Sequence, residues 1–217
     1  MTATSTTARA GQAVPAVAWL GPIAIVLALA AIVAARVAGS RAGIDPLLVG
    51  AGFGGLLVAL ALAGDLRGRA IGPSRGPRLM TQSFGIALGL GVAVGIALAS
   101  LTILGPAIAG STYVPGLGRP GAAFVPWALI TIVVASAEEG VLRGALFDRI
   151  ERLAGLAPAI ALTTLAFALM HVPLYGWHVV PLDLAVGLVL AGLRLWTRGL
   201  VAPAAAHVVA DLATWWL

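Results

Sequence analysis

The sequence predicts an all-α fold, a polytopic transmembrane helical bundle of about seven spans. Of its 217 residues, 60% are hydrophobic and only 10% are charged, whereas a soluble domain has roughly a quarter charged residues. The mean hydropathy is +1.05. The apolar residues also fall into runs close to the ~20 residues that a membrane-spanning helix needs. These observations predict an integral, multi-pass membrane protein.

Seven apolar runs are candidate spans, and glycine, proline or charged residues separate them. They cover residues 16–37, 46–64, 82–108, 124–149, 156–173, 179–196 and 200–217. The first run is longer than the core of a signal peptide, which has about 7–15 residues, so we predict that it is retained as a helix. A merged or re-entrant pair of runs would change the number of spans by one.

Glycines predict close helix packing in the first half of the chain. The second run contains GAGFGG at 50–55, which formally matches a dinucleotide-binding fingerprint. A βαβ unit cannot form inside a continuous apolar span, so this match indicates helix packing instead. The third run carries glycines at the small-xxx-small spacing that lets helices approach closely in lipid, namely Gly85, Gly89, Gly91 and Gly95. They predict internal packing or a dimer contact, and the oligomeric state stays open.

The positions of the 13 basic residues, all arginine, predict the orientation of the chain. With alternating helices, one side of the membrane holds Arg9, Arg67, Arg69, Arg75, Arg78, Arg149, Arg152, Arg194 and Arg198. The other side holds Arg36, Arg41 and Arg119. Arginine and lysine concentrate on the cytoplasmic side, which predicts a cytoplasmic N-terminus and an arginine-rich cytoplasmic loop over 65–80.

The same arginines exclude a nucleic-acid partner, despite the basic net charge of +5. They lie in short segments between apolar runs, which is typical of topology-setting charge beside membrane lipid and not of a basic patch. The use of arginine without lysine, with abundant alanine and glycine, predicts a GC-rich genome. We therefore expect a bacterial plasma-membrane protein.

The fourth run contains SAEEGVLRG, which places two acids and an arginine inside an apolar helix. Glu139 and Arg143 are four residues apart and share one face, so they are predicted to pair. Glu138 points away from that line, toward a polar cavity. Ionisable residues inside a membrane are unfavourable and mark functional sites. The alternative for Glu139 and Arg143 is a structural ion pair that fixes this helix.

His171 and the pair His207 and Asp211 are further polar groups in apolar runs. FALMH ends at His171, whose alternative interpretation is an interfacial histidine. HVVAD places His207 and Asp211 on one face of the last run, and a simple packing pair is the alternative. At 1.5 Å per residue, Glu138 lies ~16 Å, His207 ~10 Å and His171 ~22 Å from the cytoplasmic helix ends. The three meet only if the fifth helix is short, tilted or offset toward the cytosol.

These motifs resemble the CAAX-protease and bacteriocin-processing family of intramembrane endopeptidases, which includes the Rce1-type prenyl protein endopeptidases. The family pattern is E-E-x-x-x-R, then F-x-x-x-H, then H-x-x-x-N or D, on successive helices. It matches Glu138-Glu139-x-x-x-Arg143, Phe167-x-x-x-His171 and His207-x-x-x-Asp211. The resemblance covers 124–217 and implies a four-helix catalytic core, preceded by three scaffold helices over 1–123.

The resemblance implies cleavage of membrane-associated peptides or proteins in a cavity open to the cytosol. Glu138 would activate the attacking water, and Glu139 with Arg143 would be a supporting pair. His171 would hold the water or a metal. His207 and Asp211 would stabilise the oxyanion or complete a metal site.

The cofactor stays open between a divalent metal such as zinc and a metal-free glutamate mechanism. The metal ligands would be Glu138, His171, His207 and Asp211, and the chain has no H-E-x-x-H zinc helix. Family members more often carry asparagine at the position of Asp211. An ionised aspartate cannot donate to an oxyanion, so Asp211 is expected to be protonated, to bind metal or to orient His207.

Two other classes of protein fit the membrane topology. A non-catalytic scaffold or bacteriocin-immunity protein would keep this fold and act by binding. A proton-coupled transporter would also bury acids and histidines, but internal repeats typical of transporters are not expected, because almost all the buried charge lies in the second half. Whether a peptide substrate is prenylated is left open by the sequence.

Overall fold

The computed structural model describes residues 15–70, 83–108 and 123–216, and its regular structure in these ranges is helical, with no strand. Its α-helices are α1 Leu20–Arg41, α2 Pro46–Ala70, α3 Phe84–Ile108, α4 Phe124–Glu139, α5 Phe147–Ala154, α6 Leu156–Tyr175, α7 Val180–Thr197 and α8 Val201–Ala213. A π-helical segment, Gly140–Leu146, joins α4 to α5. Short 3-10 turns lie at Ala16–Trp19, Trp177–Val179 and Thr214–Trp216. The all-α prediction is confirmed.

Six helices of the described ranges are long and apolar enough to cross a membrane. The π-helical segment makes α4 and α5 one continuous helix of 31 residues, Phe124–Ala154. The last helix, α8, has 13 residues and a length of ~20 Å, less than the ~30 Å of a bilayer core. The predicted helix over 200–217 is therefore present as α8, but it is shorter than predicted. It counts as the seventh helix when α4 and α5 are taken as one.

The helices of the bundle form a closed ring of contacts in the order α1, α2, α4, α8, α7, α6 and back to α1. The π-helical segment contacts α1, α2 and α6 and so fills part of the ring interior. The remaining helix, α3, packs mainly on α8. The first three helices, α1 to α3, and the last five, α4 to α8, are thus packed into one bundle. Their predicted division into two domains stays a prediction.

Two glycines of the third run allow α3 to lie directly on α8. A methyl group at Gly95 would lie 2.7 Å from the carbonyl oxygen of Ala206 and from Cβ of Val209. One at Gly91 would meet Ala202 in the same way. The internal-packing alternative is therefore correct for these two, whereas Gly85 and Gly89 have no such neighbour within 4 Å in the described ranges.

The helices alternate in direction, and one end of the bundle collects most of the arginines. Arg149 on α5 donates to the carbonyl of Gly64 near the end of α2 and lies beside Gly21 at the start of α1. Gly155 alone separates α5 from α6, so α6 begins at this end. We call it the arginine end, because it holds Arg67, Arg69, Arg149, Arg152, Arg194 and Arg198.

The opposite end, where α1 and α6 finish and α2, α4 and α7 start, holds Arg36 and Arg41. Four arginines that were used to predict the orientation lie outside the described residues, namely Arg9, Arg75, Arg78 and Arg119. Much of the predicted loop 65–80 also lies outside them. Two arginines predicted to mark a helix end, Arg149 and Arg194, are instead buried. The helix that carries Arg149 continues to Ala154.

Candidate active site

Glu139 and Arg143 form the predicted ion pair in the centre of the bundle. Arg143 Nη1 lies 2.8 Å from Glu139 Oε1, and both side chains are 0% exposed. Arg143 Nη2 also donates to the carbonyl of Gly187 on α7, at 3.2 Å. The guanidinium lies over the ring of Phe167 on α6, 4.7 Å from its centroid. The pair therefore links α4 and the π-helical segment to two neighbouring helices.

The π-helical segment begins directly after the two glutamates and carries Arg143. A π-helical turn shifts the backbone hydrogen bonds to i→i+5, and such turns are frequent at functional sites. The carbonyl of Arg143 accepts a hydrogen bond from Arg194 on α7, which also pairs with Asp148. The Arg194 guanidinium lies 3.7 Å from the ring centroid of Phe147. Arg194 thus holds this segment in place, a role that its position near a helix end did not indicate.

His207 lies between the two glutamates. Its Nδ1 is 3.1 Å from Glu139 Oε1, and its Nε2 is 3.7 Å from Glu138 Oε2. The same Nε2 is 3.6 Å from Asp211 Oδ2, one turn further along α8. The close hydrogen-bonding partner of His207 is therefore Glu139, while Glu138 and Asp211 lie at ion-pair distance on the other side of the ring.

His171 is held by a residue to which the sequence assigned no role. Its Nδ1 lies 3.0 Å from the carbonyl oxygen of Phe167 and 3.3 Å from Asp183 Oδ2 on α7. The sequence did carry a signal, because His171 lies four residues before the end of α6 and Asp183 three residues after the start of α7. In an antiparallel hairpin these positions are level. With Nδ1 occupied, Nε2 is the nitrogen left for a ligand or water.

Phe167 positions both histidines. Its ring centroid is 4.8 Å from that of His171 and 5.4 Å from that of His207, and both contacts are edge-to-face. The phenylalanine of F-x-x-x-H therefore lies against both imidazoles, with the guanidinium of Arg143 on its face. Aromatic contacts of this kind fix ring orientation in a core.

Glu138 completes the cluster and is 3% exposed. Its electrostatic neighbours are His171, His207, Asp211 and Arg36. The expected mismatch in depth between Glu138 and His171 does not arise, because the helix of Glu138 runs to Ala154 and not to Arg149. Counted from these ends, Glu138 lies ~24 Å and His171 ~22 Å from the arginine end.

Arg36 and Tyr175 extend the cluster toward the opposite end, and neither was predicted as a site residue. Arg36 on α1 lies over the ring of Phe53, 4.6 Å from its centroid, and interacts with Tyr175. The Tyr175 ring stacks on His171 with centroids 5.8 Å apart. Arginine on α1 was interpreted only as a topology signal, since sequence spacing does not reveal contacts between distant helices.

The assignment of Glu138, His171, His207 and Asp211 as metal ligands stays a prediction. Within the described residues, no three His, Cys, Asp or Glu side chains are grouped so that they could hold a metal ion. His207 faces Glu139 through Nδ1 and Glu138 and Asp211 through Nε2, at distances of ion pairs.

Comparison with known proteins places the motifs in a family. Residues 120–213 match the family model described as Type II CAAX prenyl endopeptidase Rce1-like, and all six predicted site residues lie in this range. No curated protein and no solved structure matches the chain. Over these residues, the chain is similar to the Rce1-like family of CAAX prenyl endopeptidases.

Proposed function

We propose that the protein hydrolyses a peptide bond within or at the edge of the bilayer, with Glu138 as the general base. The observation that carries this proposal is the convergence of Glu138, His171 and His207 from three different helices on one buried cluster. Ionisable side chains inside a membrane protein are costly and mark functional sites, and hydrolysis in lipid needs polar groups that admit water.

In the proposed reaction, Glu138 takes a proton from a water molecule as its oxygen attacks the scissile carbonyl carbon. The carbonyl oxygen becomes an oxyanion in a tetrahedral intermediate. Glu138 then returns the proton to the amide nitrogen as the C–N bond breaks, which leaves a carboxylic acid and an amine. A positioned general base of this kind accelerates a reaction by about 10²–10⁴-fold.

His207 is proposed to stabilise the oxyanion. It is fixed through Nδ1 by Glu139 at 3.1 Å, and Glu139 is itself held by Arg143. Since Nδ1–H donates to Glu139, His207 donates from Nε2 as the imidazolium. The ring does not have to reorganise when charge develops, so this donor stabilises the intermediate efficiently. Asp211, 3.6 Å from the same Nε2, then has an orienting role, which is consistent with aspartate at a position where asparagine is more frequent.

His171 is proposed to hold the attacking water through Nε2. The hydrogen bond from Nδ1 to the Phe167 carbonyl, with Asp183 Oδ2 3.3 Å from the same nitrogen, favours the tautomer in which Nδ1 carries the hydrogen and Nε2 accepts one. Asp183 is then a positioning residue, since it acts on the water only through His171. The water lies between His171 and Glu138, which are electrostatic neighbours.

The protein is further proposed to lie in a bacterial plasma membrane with its N-terminus in the cytoplasm. The arginine end carries six of the nine arginines in the described ranges, the opposite end two and the centre of the bundle Arg143, and such charge concentrates on the cytoplasmic side. Its proposed partners are membrane lipid and a membrane-associated peptide or protein, with no nucleic acid. Whether that substrate is prenylated is decided by the assay below.

The test is cleavage of quenched fluorescent peptides by the purified protein in detergent or liposomes. One set of peptides carries a prenylated C-terminal CAAX sequence, and the other consists of unprenylated membrane peptides. The Glu138→Gln variant is expected to lose about 10²–10⁴-fold in rate while its circular dichroism is unchanged. Glu151→Gln on α5, outside the cluster, is the matched control. Equal cleavage by wild type and Glu138→Gln excludes Glu138 as the base.

A further inference from the structure

Helix α7 carries none of the motif residues, yet one of its faces contacts the candidate site at three levels. Asp183, Gly187 and Arg194 lie at spacings of four and seven residues, which place them on one face of a helix. Asp183 lies beside His171. The Gly187 carbonyl accepts a hydrogen bond from the Arg143 side chain, and Arg194 donates to the backbone carbonyl of the same arginine. Arg143 is therefore held by α7 through both its side chain and its backbone.

The guanidinium of Arg194 spans one turn of the π-helical segment. Its Nε donates to the Arg143 carbonyl, and its Nη2 pairs with Asp148 Oδ1, five residues further along the chain. Five residues is also the spacing of hydrogen-bonded residues in a π-helix, whereas an α-helix pairs residues four apart. Phe147, next to Asp148 in sequence, has its ring centroid 3.7 Å from Cζ of Arg194. Because a side chain that binds a carbonyl within a helix disturbs the α-helical hydrogen bonds, these contacts favour the wider turn.

A chain of buried contacts connects this turn to the histidine that is proposed to stabilise the oxyanion. Arg143 Nη1 lies 2.8 Å from Glu139 Oε1, and the same oxygen is 3.1 Å from His207 Nδ1. All three side chains are buried. Close-packed interiors transmit strain, so a displacement of the Arg143 backbone moves the partner of Glu139 and reaches the imidazole through it.

We propose that Arg194 and Asp148 are positioning residues of the candidate active site, because together they hold the π-helical turn that places Arg143. We call this pair the α7 clamp. Both residues lie outside the three motifs, and they act on the reaction only through Glu139 and His207. The effect on turnover rests on the proposed hydrolytic function, whereas the effect of the clamp on the turn and the imidazole does not. A purely structural ion pair would stabilise the bundle and leave the imidazole unchanged.

The variants Arg194→Lys and Asp148→Asn test the α7 clamp. Lysine keeps the charge but not the planar fork that binds two acceptors in a fixed geometry, and asparagine keeps an oxygen acceptor without the charge. Arg198→Lys is the matched control, because Arg198 is exposed at the end of the same helix. The readouts are steady-state kinetics on one cleaved peptide, thermal unfolding in micelles, and the ring-nitrogen NMR signals of protein labelled with ¹⁵N-histidine. The chain has three histidines, so each signal is assigned by single substitution.

We expect Arg194→Lys to shift the ring-nitrogen signals of His207 and to lower kcat about 10–100-fold with KM within twofold, at a temperature where the protein is folded. Asp148→Asn removes only one arm of the clamp and should act in the same direction. The double variant should be no worse than Arg194→Lys alone, because both changes break the same contact. His178 is the internal control, since it lies before the other end of α7.

Unchanged His207 signals in both variants overturn the coupling between the clamp and the site, whatever the rate. Shifted His207 signals with an unchanged kcat overturn the positioning role, and so do His178 signals that shift equally, because they indicate a general loss of packing. The same spectra recorded in the Glu138→Gln background separate this inference from the proposed function, because they need no hydrolysis. If wild type cleaves no peptide while the His207 signals still shift, the hydrolytic function fails and the clamp stands.

Discussion

His207 and Glu139 connect the last helix of the bundle to the fourth across 68 residues of sequence, with Nδ1 3.1 Å from Oε1. Glu139 is also the partner of Arg143, so one carboxylate orients the imidazole and neutralises the guanidinium. The second glutamate of the E-E motif is thereby occupied by structural contacts. The first, Glu138, is left at the polar and partly accessible side of the ring.

Removal of the His207 imidazole is expected to abolish most activity with little loss of fold. His207→Gln keeps a hydrogen-bonding group of similar length but not the fixed ring, and we expect a fall of about 10²–10³-fold in kcat, as for other oxyanion donors. The rate of peptide cleavage at saturating substrate measures it. His178→Gln, in the turn between α6 and α7, is the control. A His207→Gln rate within threefold of wild type would contradict the proposed role.

The Glu139–Arg143 pair is expected to stabilise the bundle as a unit. Arg143→Met leaves a completely buried carboxylate without its cation, and breaking such a pair lowers the free energy of unfolding by about 3–5 kcal/mol. The double variant Glu139→Gln, Arg143→Met removes both charges, so we expect it to recover part of that loss. Reversible unfolding in mixed micelles measures both. Single and double variants of equal stability would show that the pair is not coupled.

The sequence predicted the helices and the i, i+4 pair well, because both depend on local periodicity. Glu139 and Arg143 share a face wherever the helix lies. The π-helical turn over Gly140–Leu146 carries no residue signature, and it depends on the distant donor Arg194. Local spacing therefore could not reveal it.

Contacts between helices were predicted less completely, because they depend on residues that are distant in the sequence. Asp183 was visible as an acid in an apolar run, but its partner His171 depends on the hairpin between α6 and α7. The predicted mismatch in depth between Glu138 and His171 came from ending a helix at Arg149. Arginine is expected at the edge of the membrane, and this predicted that the helix ends at Arg149. The buried Arg149 instead donates a hydrogen bond to the Gly64 carbonyl, and the helix continues.

Asp183 is expected to affect turnover through His171 and not through substrate binding. Asp183→Ala should lower kcat about tenfold or more with KM within twofold, whereas Asp183→Asn keeps an oxygen acceptor for Nδ1–H and should lose less. Steady-state kinetics on one cleaved peptide measures the two parameters. Asp45→Asn is the matched control, since Asp45 caps α2 through Leu47 and Leu48 and asparagine caps equally well. A rise in KM alone would indicate a binding role.

Cleavage is expected to continue in the presence of a strong chelator. This expectation follows from the proposed water activation, which uses Glu138 alone. The purified protein is dialysed against the chelator, and the rate and the metal content are measured in the same sample. Loss of activity that one particular ion restores would replace this mechanism with a metal-assisted one, in which Glu138, His171, His207 and Asp211 rearrange as ligands.

The contact between α3 and α8 is expected to control the position of His207. Gly95→Ala places a methyl group 2.7 Å from the Ala206 carbonyl, next to His207, so α8 must shift; overpacking of this kind lowers the free energy of unfolding by about 1–3 kcal/mol. Gly89→Ala on the same helix meets nothing within 4 Å, and we expect it to be neutral or to stabilise the helix by about 0.5–1 kcal/mol. Unfolding in micelles and the cleavage rate are measured for both.

Because the shift moves the imidazole relative to Glu138, Gly95→Ala should lose activity at temperatures where it is still folded. Equal stability and activity of the two variants would show that α3 only covers α8 and does not position it.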